Sequence, residues 1–124
     1  MADVLDFLVL SHSDSRHLCG LAKVQREGII YFQIKKLHKR DKSKIEINVN
    51  EFLNMVRFLN YKMTREYLED NRMLAVKRDR ENNTFEITHL SKKKKKYTYD
   101  TIVLTSYEIF RLCKHANSML MNKN

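Results

Sequence analysis

The chain has 124 residues, with 24 Lys or Arg against 15 Asp or Glu, which gives a formal charge of +9. This length fits one compact domain over residues 1–124, or two tightly fused repeats, and an apolar fraction of 43% argues against wholesale disorder. The absence of Pro and the presence of only two Gly exclude Walker-type phosphate loops, the dinucleotide-binding GxGxxG turn and collagen, which need these residues at fixed positions.

The first half of the chain predicts four strands followed by a helix. The segment Asp3–Leu10 fits either a strand or a short helix, because its apolar spacing supports both. Two later segments alternate apolar and polar residues, as half-buried strands do. Their apolar positions are Ile30, Phe32 and Ile34, and then Ile45, Ile47 and Val49.

A helix is predicted to follow, with Asn50 as its N-cap. Apolar residues then recur at helical spacing at Phe52, Met55, Val56, Leu59 and Met63. No Pro stops this helix, so its extension through residues 61–70 is compatible with the pattern.

Residues 74–90 repeat the apolar pattern of residues 21–37 at a constant offset of 53. Leu21 matches Leu74 and Phe32 matches Phe85, and a lysine-rich connection and a second short apolar run follow in each copy. In the second copy Thr105 and Glu108 predict a capping box, which starts the final helix. The comparison predicts internal repeats over about residues 1–63 and 64–120, the second with only three clear strands.

The predicted fold class is therefore α+β, with two fused β-hairpin-rich repeats in the order ββββα and then βββα. Turn signals at residues 27–28 and 81–83 support the hairpins. Each antiparallel sheet is expected to be covered by one amphipathic helix, which leaves its other face free for function.

The positive charge is concentrated in two short segments at equivalent places in the two copies. The first holds Lys35, Lys36, Lys39, Arg40, Lys42 and Lys44, and the second holds Lys92, Lys93, Lys94, Lys95 and Lys96. Like charges at this density repel one another unless solvent or a polyanion neutralises them, and a nucleic-acid backbone does so with release of counterions. Arg72, Lys77, Arg78 and Arg80 are weaker candidates for an extension of this surface.

Three tyrosines are predicted to lie on the sheet faces that the helices leave free. If Ile102 and Leu104 face the helices, Tyr97 and Tyr99 point the other way, and Tyr31 lies opposite Phe32 by the same alternation. Aromatic rings for base stacking beside cations for phosphates are typical of single-strand binding surfaces.

Residues 95–110, KKYTYDTIVLTSYEIF, resemble the last strand and following helix of the transcriptional coactivator, Whirly and Pur-alpha group of folds, and residues 44–53 are a looser second example. The resemblance implies four strands and a helix per unit, with two units fused or dimerised, and single-stranded DNA or RNA lying across the sheets. It implies roles in stacking and phosphate contact, and no catalysis, for Tyr31, Lys35, Lys36, Lys95, Lys96, Tyr97 and Tyr99. The second copy departs from the group by its missing fourth strand and by the absence of a glycine before the final strand.

The function expected from the sequence is the binding of single-stranded nucleic acid in transcription, replication or RNA handling. The alternative is a protein-interaction or structural module, in which the lysines form solvated loops or a nuclear-import tract and the helices present Leu53, Phe58 and Met119. A homodimer is compatible with either, and the chain is expected to be intracellular, nuclear or cytoplasmic, because no signal peptide or membrane-spanning segment is evident.

Neither a metal site, a cofactor site nor an active site is expected. His17, Cys19, Cys113 and His115 have spacings unlike those of zinc sites, so Cys19 and Cys113 are expected to be free thiols. The run at residues 11–15 contains Ser, His and Asp but has no Gly-x-Ser-x-Gly elbow, so a polar turn is the better interpretation.

Overall fold

Each half of the described chain is a four-stranded antiparallel meander followed by a helix. The computed structural model describes residues 3–10, 19–37, 40–59, 63–68, 72–93 and 95–121. The first sheet has the order β1-β2-β3-β4 and the second has the order β5-β6-β7-β8. The elements are β1 (Asp3–Leu10), β2 (Cys19–Arg26), β3 (Ile29–Lys36), β4 (Lys44–Asn48), α1 (Val49–Phe58), β5 (Met63–Leu68), β6 (Arg72–Asp79), β7 (Thr84–Lys93), β8 (Lys96–Thr105) and α2 (Ser106–Met121).

The α+β class with two antiparallel sheets and two helices is confirmed, but the predicted element at residues 61–70 is wrong. Met63–Leu68 form strand β5, which pairs antiparallel with β6, so the second half has four strands rather than three. Helix α1 ends at Phe58, with Leu59 as its C-cap. The helix propensity and apolar spacing of this segment do not decide its structure. As a strand it pairs its backbone N–H and C=O groups with the open edge of β6, and this pairing outweighs local propensity.

Both helices begin at a capping box that joins the last residue of a strand to the third helical residue. In α1 the N-cap is Asn48, not the predicted Asn50: the Glu51 N–H donates to Asn48 Oδ1 at 2.8 Å, and the Asn48 N–H donates to Glu51 Oε1 at 2.9 Å. In α2 the predicted box between Thr105 and Glu108 is confirmed, with hydrogen bonds of 2.9 and 3.1 Å. These boxes hold each helix directly against the end of the strand before it.

The predicted turns are also present. The two-residue loop between β2 and β3 has positive φ at both Glu27 (54°) and Gly28 (79°), as a type I′ hairpin turn requires. Asn83, in the turn before β7, also has a positive φ of 54°.

A single apolar core joins both halves. Helix α1 contacts β3, β4 and β6, and α2 contacts β1, β2, β7 and β8, so each helix packs on strands of both halves rather than on its own sheet alone. The rings of Phe32 and Phe52 meet at 5.1 Å between centroids. The core side chains that are at most 1% exposed include Phe32, Ile34, Ile45, Ile47, Phe52, Met55, Leu74, Val76, Ile87, Ile102, Leu104 and Leu112.

Buried ion pairs fix the start of each helix to the sheet of the other half. Glu51 of α1 accepts hydrogen bonds from Arg72 at 2.6 Å and from His89 at 2.5 Å, and Glu108 of α2 accepts from Lys36 at 2.9 Å. Burial alone would raise the pKa of Glu51, but hydrogen bonds from His89, Arg72 and the Asn48 backbone outweigh burial and lower this pKa from 4.5 to about 2. Glu51 is therefore held ionised inside the protein.

The C-terminal end of α2 is bound in a similar way. Lys23 of β2 is only 5% exposed, and its Nζ donates to the carbonyl oxygen of Met119 at 2.8 Å. A cation at this end of a helix interacts favourably with the helix dipole. Neither α1 nor α2, the helices of the described residues, combines the length and apolar character needed to cross a membrane.

Candidate nucleic-acid interface

The outer face of each sheet, meaning the side that faces away from the helices, is set by strand alternation and register. On β8 the side chains of Ile102 and Leu104 are fully buried, whereas Tyr97 and Tyr99 are each 63% exposed. The predicted alternation along this strand is therefore confirmed. Rows of Cα partners cross the outer face of the second sheet, and three neighbouring rows are Met73–Leu90–Tyr99, Ala75–Thr88–Thr101 and Lys77–Glu86–Val103.

These rows enclose a shallow groove, which we call the outer groove. Its floor is formed by the small central residues Ala75 and Thr88, and the Thr88 and Thr101 hydroxyl oxygens lie 3.1 Å apart. Larger side chains stand at its two ends, because the rows on either side carry Tyr99 and Glu86. The groove is lined by Met73, Ala75, Val76, Lys77, Glu86, Thr88 and Tyr99.

The second lysine segment belongs to the β7–β8 hairpin. Strand β7 runs to Lys93 and β8 begins at Lys96, and these two residues are Cα partners. Lys92 is the Cα partner of Tyr97, while Lys95 and Lys96 are exposed. Lys94 lies outside the described residues. The lysine-rich connection predicted at residues 91–96 is therefore largely strand, which fixes the backbone of these cations close to Tyr97 and Tyr99.

On the first sheet, Lys35 and Lys44 are exposed Cα partners on the outer face. Arg40 and Lys42 are exposed between β3 and β4, and Lys39 lies outside the described residues. Tyr31 is half-buried on the same outer face.

The surroundings of Tyr31 limit its use as a stacking platform. The Arg26 guanidinium carbon lies 5.5 Å from the Tyr31 ring centroid. The same guanidinium is paired with Glu46, which also accepts a hydrogen bond from Gln33 at 2.8 Å. One face of the Tyr31 ring is thus already covered by a cation, and the ring is less exposed than those of Tyr97 and Tyr99.

Lys36 does not belong to this surface, and grouping it with Lys35 was wrong. Adjacent residues of a strand point to opposite faces, so Lys36 faces the helices. There it pairs with the buried Glu108, and its side chain is only 10% exposed. Arg72 is likewise directed inward by its pairing with Glu51, and Arg78 lies over the Phe85 ring, with 5.4 Å between the guanidinium carbon and the centroid.

A small cavity brings the outer face of the first sheet next to strand β8. It is lined by Lys35 and Lys44 of the first sheet together with Asp100, the residue that follows Tyr99.

The alternation that placed the tyrosines also applies to β6 and β7, where Leu74, Val76, Phe85 and Ile87 are buried. It could therefore have identified the outer-face residues that the sequence analysis missed, namely Met73, Ala75, Glu86 and Thr88.

The candidate metal ligands are not gathered into a site in the described part of the chain. Burial raises the pKa of the Cys19 thiol to about 12, with a smaller contribution from the charge of Glu108, and burial raises that of Cys113 to about 11. Both are free thiols that stay protonated near neutral pH, whereas metals bind the thiolate. No group of three or more His, Cys, Asp or Glu among the described residues could hold a metal ion. His12, His17 and the run at residues 11–15 lie outside them.

Comparison with known proteins finds a solved structure with a similar fold, but no similar sequence. No family model matches this sequence, and no curated protein matches it. A crystal structure of Trypanosoma bruciei MRP1/MRP2 is similar, with a TM-score of 0.53 over 93% of this chain and 82% of that chain, at 9% sequence identity. At this identity, what the two chains share is the arrangement of sheets and helices.

Proposed function

We propose that this chain is a binding protein for single-stranded nucleic acid, DNA or RNA, and not an enzyme. The observation that carries the proposal is the outer face of the second sheet, where Tyr97 and Tyr99 are each 63% exposed beside the outer groove and the lysines of the β7–β8 hairpin. Exposed aromatic rings stack unpaired bases, and nearby cations contact the backbone between them. The roles in transcription, replication or RNA handling expected from the sequence belong to the same proposal.

The distribution of charge supports the same surface. Lys95 and Lys96 are exposed at the tip of the hairpin, and Lys35 and Lys44 lie beside β8 at the junction of the two sheets. Lys95 and Lys96 directly precede Tyr97, and Lys35 and Lys44 add positive charge on the outer face of the first sheet. The formal charge of +9 adds a favourable long-range attraction for a polyanion.

We expect oligonucleotide binding to weaken steeply with salt, and Lys44→Ala to reduce that dependence. Each phosphate contact on a single strand contributes about 0.7 to the slope of log affinity against log salt, so the loss of one contact lowers the slope by about 0.7. The measurement is fluorescence anisotropy with a labelled oligothymidine from about 50 to 200 mM salt.

Lys114→Ala is the matched control, because Lys114 is an exposed lysine on α2, away from the outer faces of the sheets. It makes the same change in net charge and should leave the slope nearly unchanged. Absence of binding to any oligonucleotide at low salt would contradict the proposed function, and equal effects of the two substitutions would contradict the placement of Lys44.

We also infer that the two halves arose by internal duplication. Strands β2 and β6 begin 53 residues apart, as do Leu21 and Leu74, and each helix has a buried glutamate as its third residue. The partners of these glutamates support the inference, because Lys36 and His89 are also 53 residues apart.

A protein-interaction surface is the second candidate, and α2 favours it. Phe110 is 73% exposed and Tyr107 is 48% exposed on this helix. The residues first expected to carry such an interface are mostly unsuitable, since Phe58 and Met119 are buried in the core and only Leu53 is exposed. Dimerisation of the chain would use this type of surface and leave the outer groove open.

A further inference from the structure

The outer groove contains one carboxylate that a phosphate-binding surface does not explain. Glu86 is exposed, its Cα partners are Lys77 and Val103, and its carboxylate makes no hydrogen bond or ion pair with any described side chain. A carboxylate repels the phosphates of a bound strand. It is a strong acceptor for N–H groups, however, and in nucleic acid such groups are found on the edges of bases.

The groove has room for a base between Glu86 and Tyr99. Tyr99 is the Cα partner of Leu90, which lies four residues from Glu86 on β7, so the two positions are separated by about 13 Å along the strand. The central residues between them, Ala75 and Thr88, are small. Met73, Ala75 and the Tyr99 ring offer apolar surface to a base, while Glu86 offers acceptors at the opposite end.

The chemistry of the acceptor selects among the four bases. An ionised carboxylate has two oxygens that only accept, so its best partner presents two adjacent donors. Guanine does so with N1–H and the N2 amino group. Adenine and cytosine each present one amino group beside a ring acceptor, and thymine or uracil presents one N–H between two carbonyl groups.

We propose that the outer groove recognises guanine within single-stranded nucleic acid, with the Glu86 carboxylate accepting from N1–H and N2–H and Lys77 contacting a neighbouring phosphate. This inference rests on the proposed function and names the base that the same surface prefers. Unpaired bases expose the edges that such recognition needs, whereas base pairing hides them.

The experiment compares oligothymidine probes that carry a single central G, A or C with the unsubstituted probe, and repeats the series as RNA with oligouridine. Anisotropy is measured at one fixed low salt concentration. We expect the wild-type protein to bind the G probe about tenfold more tightly than the A probe, in the range of a good bidentate contact. In Glu86→Gln this preference should fall to about twofold or less, because one acceptor is replaced by a donor.

Glu81→Gln is the matched control, since Glu81 is an exposed carboxylate in the turn before β7 and is not part of the outer groove. It should keep the tenfold preference. Tight binding of all four probes with equal affinity would overturn the guanine inference and leave the proposed function intact, whereas no binding of any probe would overturn both. Binding of free guanosine monophosphate as tightly as the G probe would overturn the inference that the groove recognises guanine as part of a nucleic-acid strand.

Discussion

Replacing Tyr97 and Tyr99 together by alanine is expected to weaken single-strand binding by about 30-fold or more. Each base stacked on an aromatic ring contributes about 1–3 kcal/mol, so the loss of two platforms removes at least about 2 kcal/mol. Both side chains are 63% exposed on the outer face, so their removal leaves the fully buried Ile102 and Leu104 in place. The measurement is the dissociation constant for a labelled oligothymidine at fixed low salt.

The double variant keeps the formal charge of +9, so a loss of affinity reports on the rings rather than on electrostatic attraction. Tyr107→Ala is the control, because Tyr107 is also an exposed tyrosine but lies on α2. It should bind like the wild type. If the double variant also binds like the wild type, the stacking proposal is wrong even for a protein that binds nucleic acid through its lysines.

Glu51→Gln is expected to lower the free energy of unfolding at pH 7 by about 3 kcal/mol. The carboxylate is held between Arg72 and His89, and its pKa of about 2 against an ordinary 4.5 corresponds to a stabilisation of this order. The amide cannot match the charge of Arg72, which would then lack its buried partner. Urea unfolding followed by circular dichroism measures the difference.

The same variant makes a prediction about pH. Because the pKa of Glu51 is lower in the folded protein than in the unfolded chain, its contribution is complete above about pH 5 and is lost as the pH falls from 4.5 toward 2. The unfolding free energies of the wild type and Glu51→Gln should therefore converge over this range. Glu46→Gln is the control: its side chain is 31% exposed in the pair with Arg26, and such pairs contribute about 1 kcal/mol or less. Equal losses in the two variants at pH 7 would contradict the role given to Glu51.

The capping boxes show how far local sequence could predict the fold. Thr105 and Glu108 stand at the spacing of a capping box, and the structure has that box. At α1 two asparagines, Asn48 and Asn50, are both good N-caps by residue type. The capping-box spacing separates them, because Glu51 stands three residues after Asn48 whereas Leu53 stands three residues after Asn50. In the structure Glu51 is also held by Arg72 and His89 from the second sheet. Those contacts are distant in sequence, so no local pattern could reveal them.

Strand β5 and Lys36 show the same limit. Residues 63–68 become a strand because β6 has an open edge that they complete, which depends on a partner and not on their own spacing. The alternation of β3 by itself places Lys36 on the inner face, but its partner Glu108 lies 72 residues away, which no local pattern could reveal.

The sequence by itself determined which residues share a face of a strand and where the positive charge is concentrated, because both depend only on neighbours along the chain. The tertiary structure alone decided that Lys35 and Lys44 lie in one cavity with Asp100, and that Met73, Ala75, Glu86 and Thr88 form a groove with Tyr99. These groupings depend on the pairing of strands and on the packing of two sheets around shared helices. The free energy of such packing comes from contacts between residues far apart in the chain, and a one-dimensional pattern does not encode which of them meet.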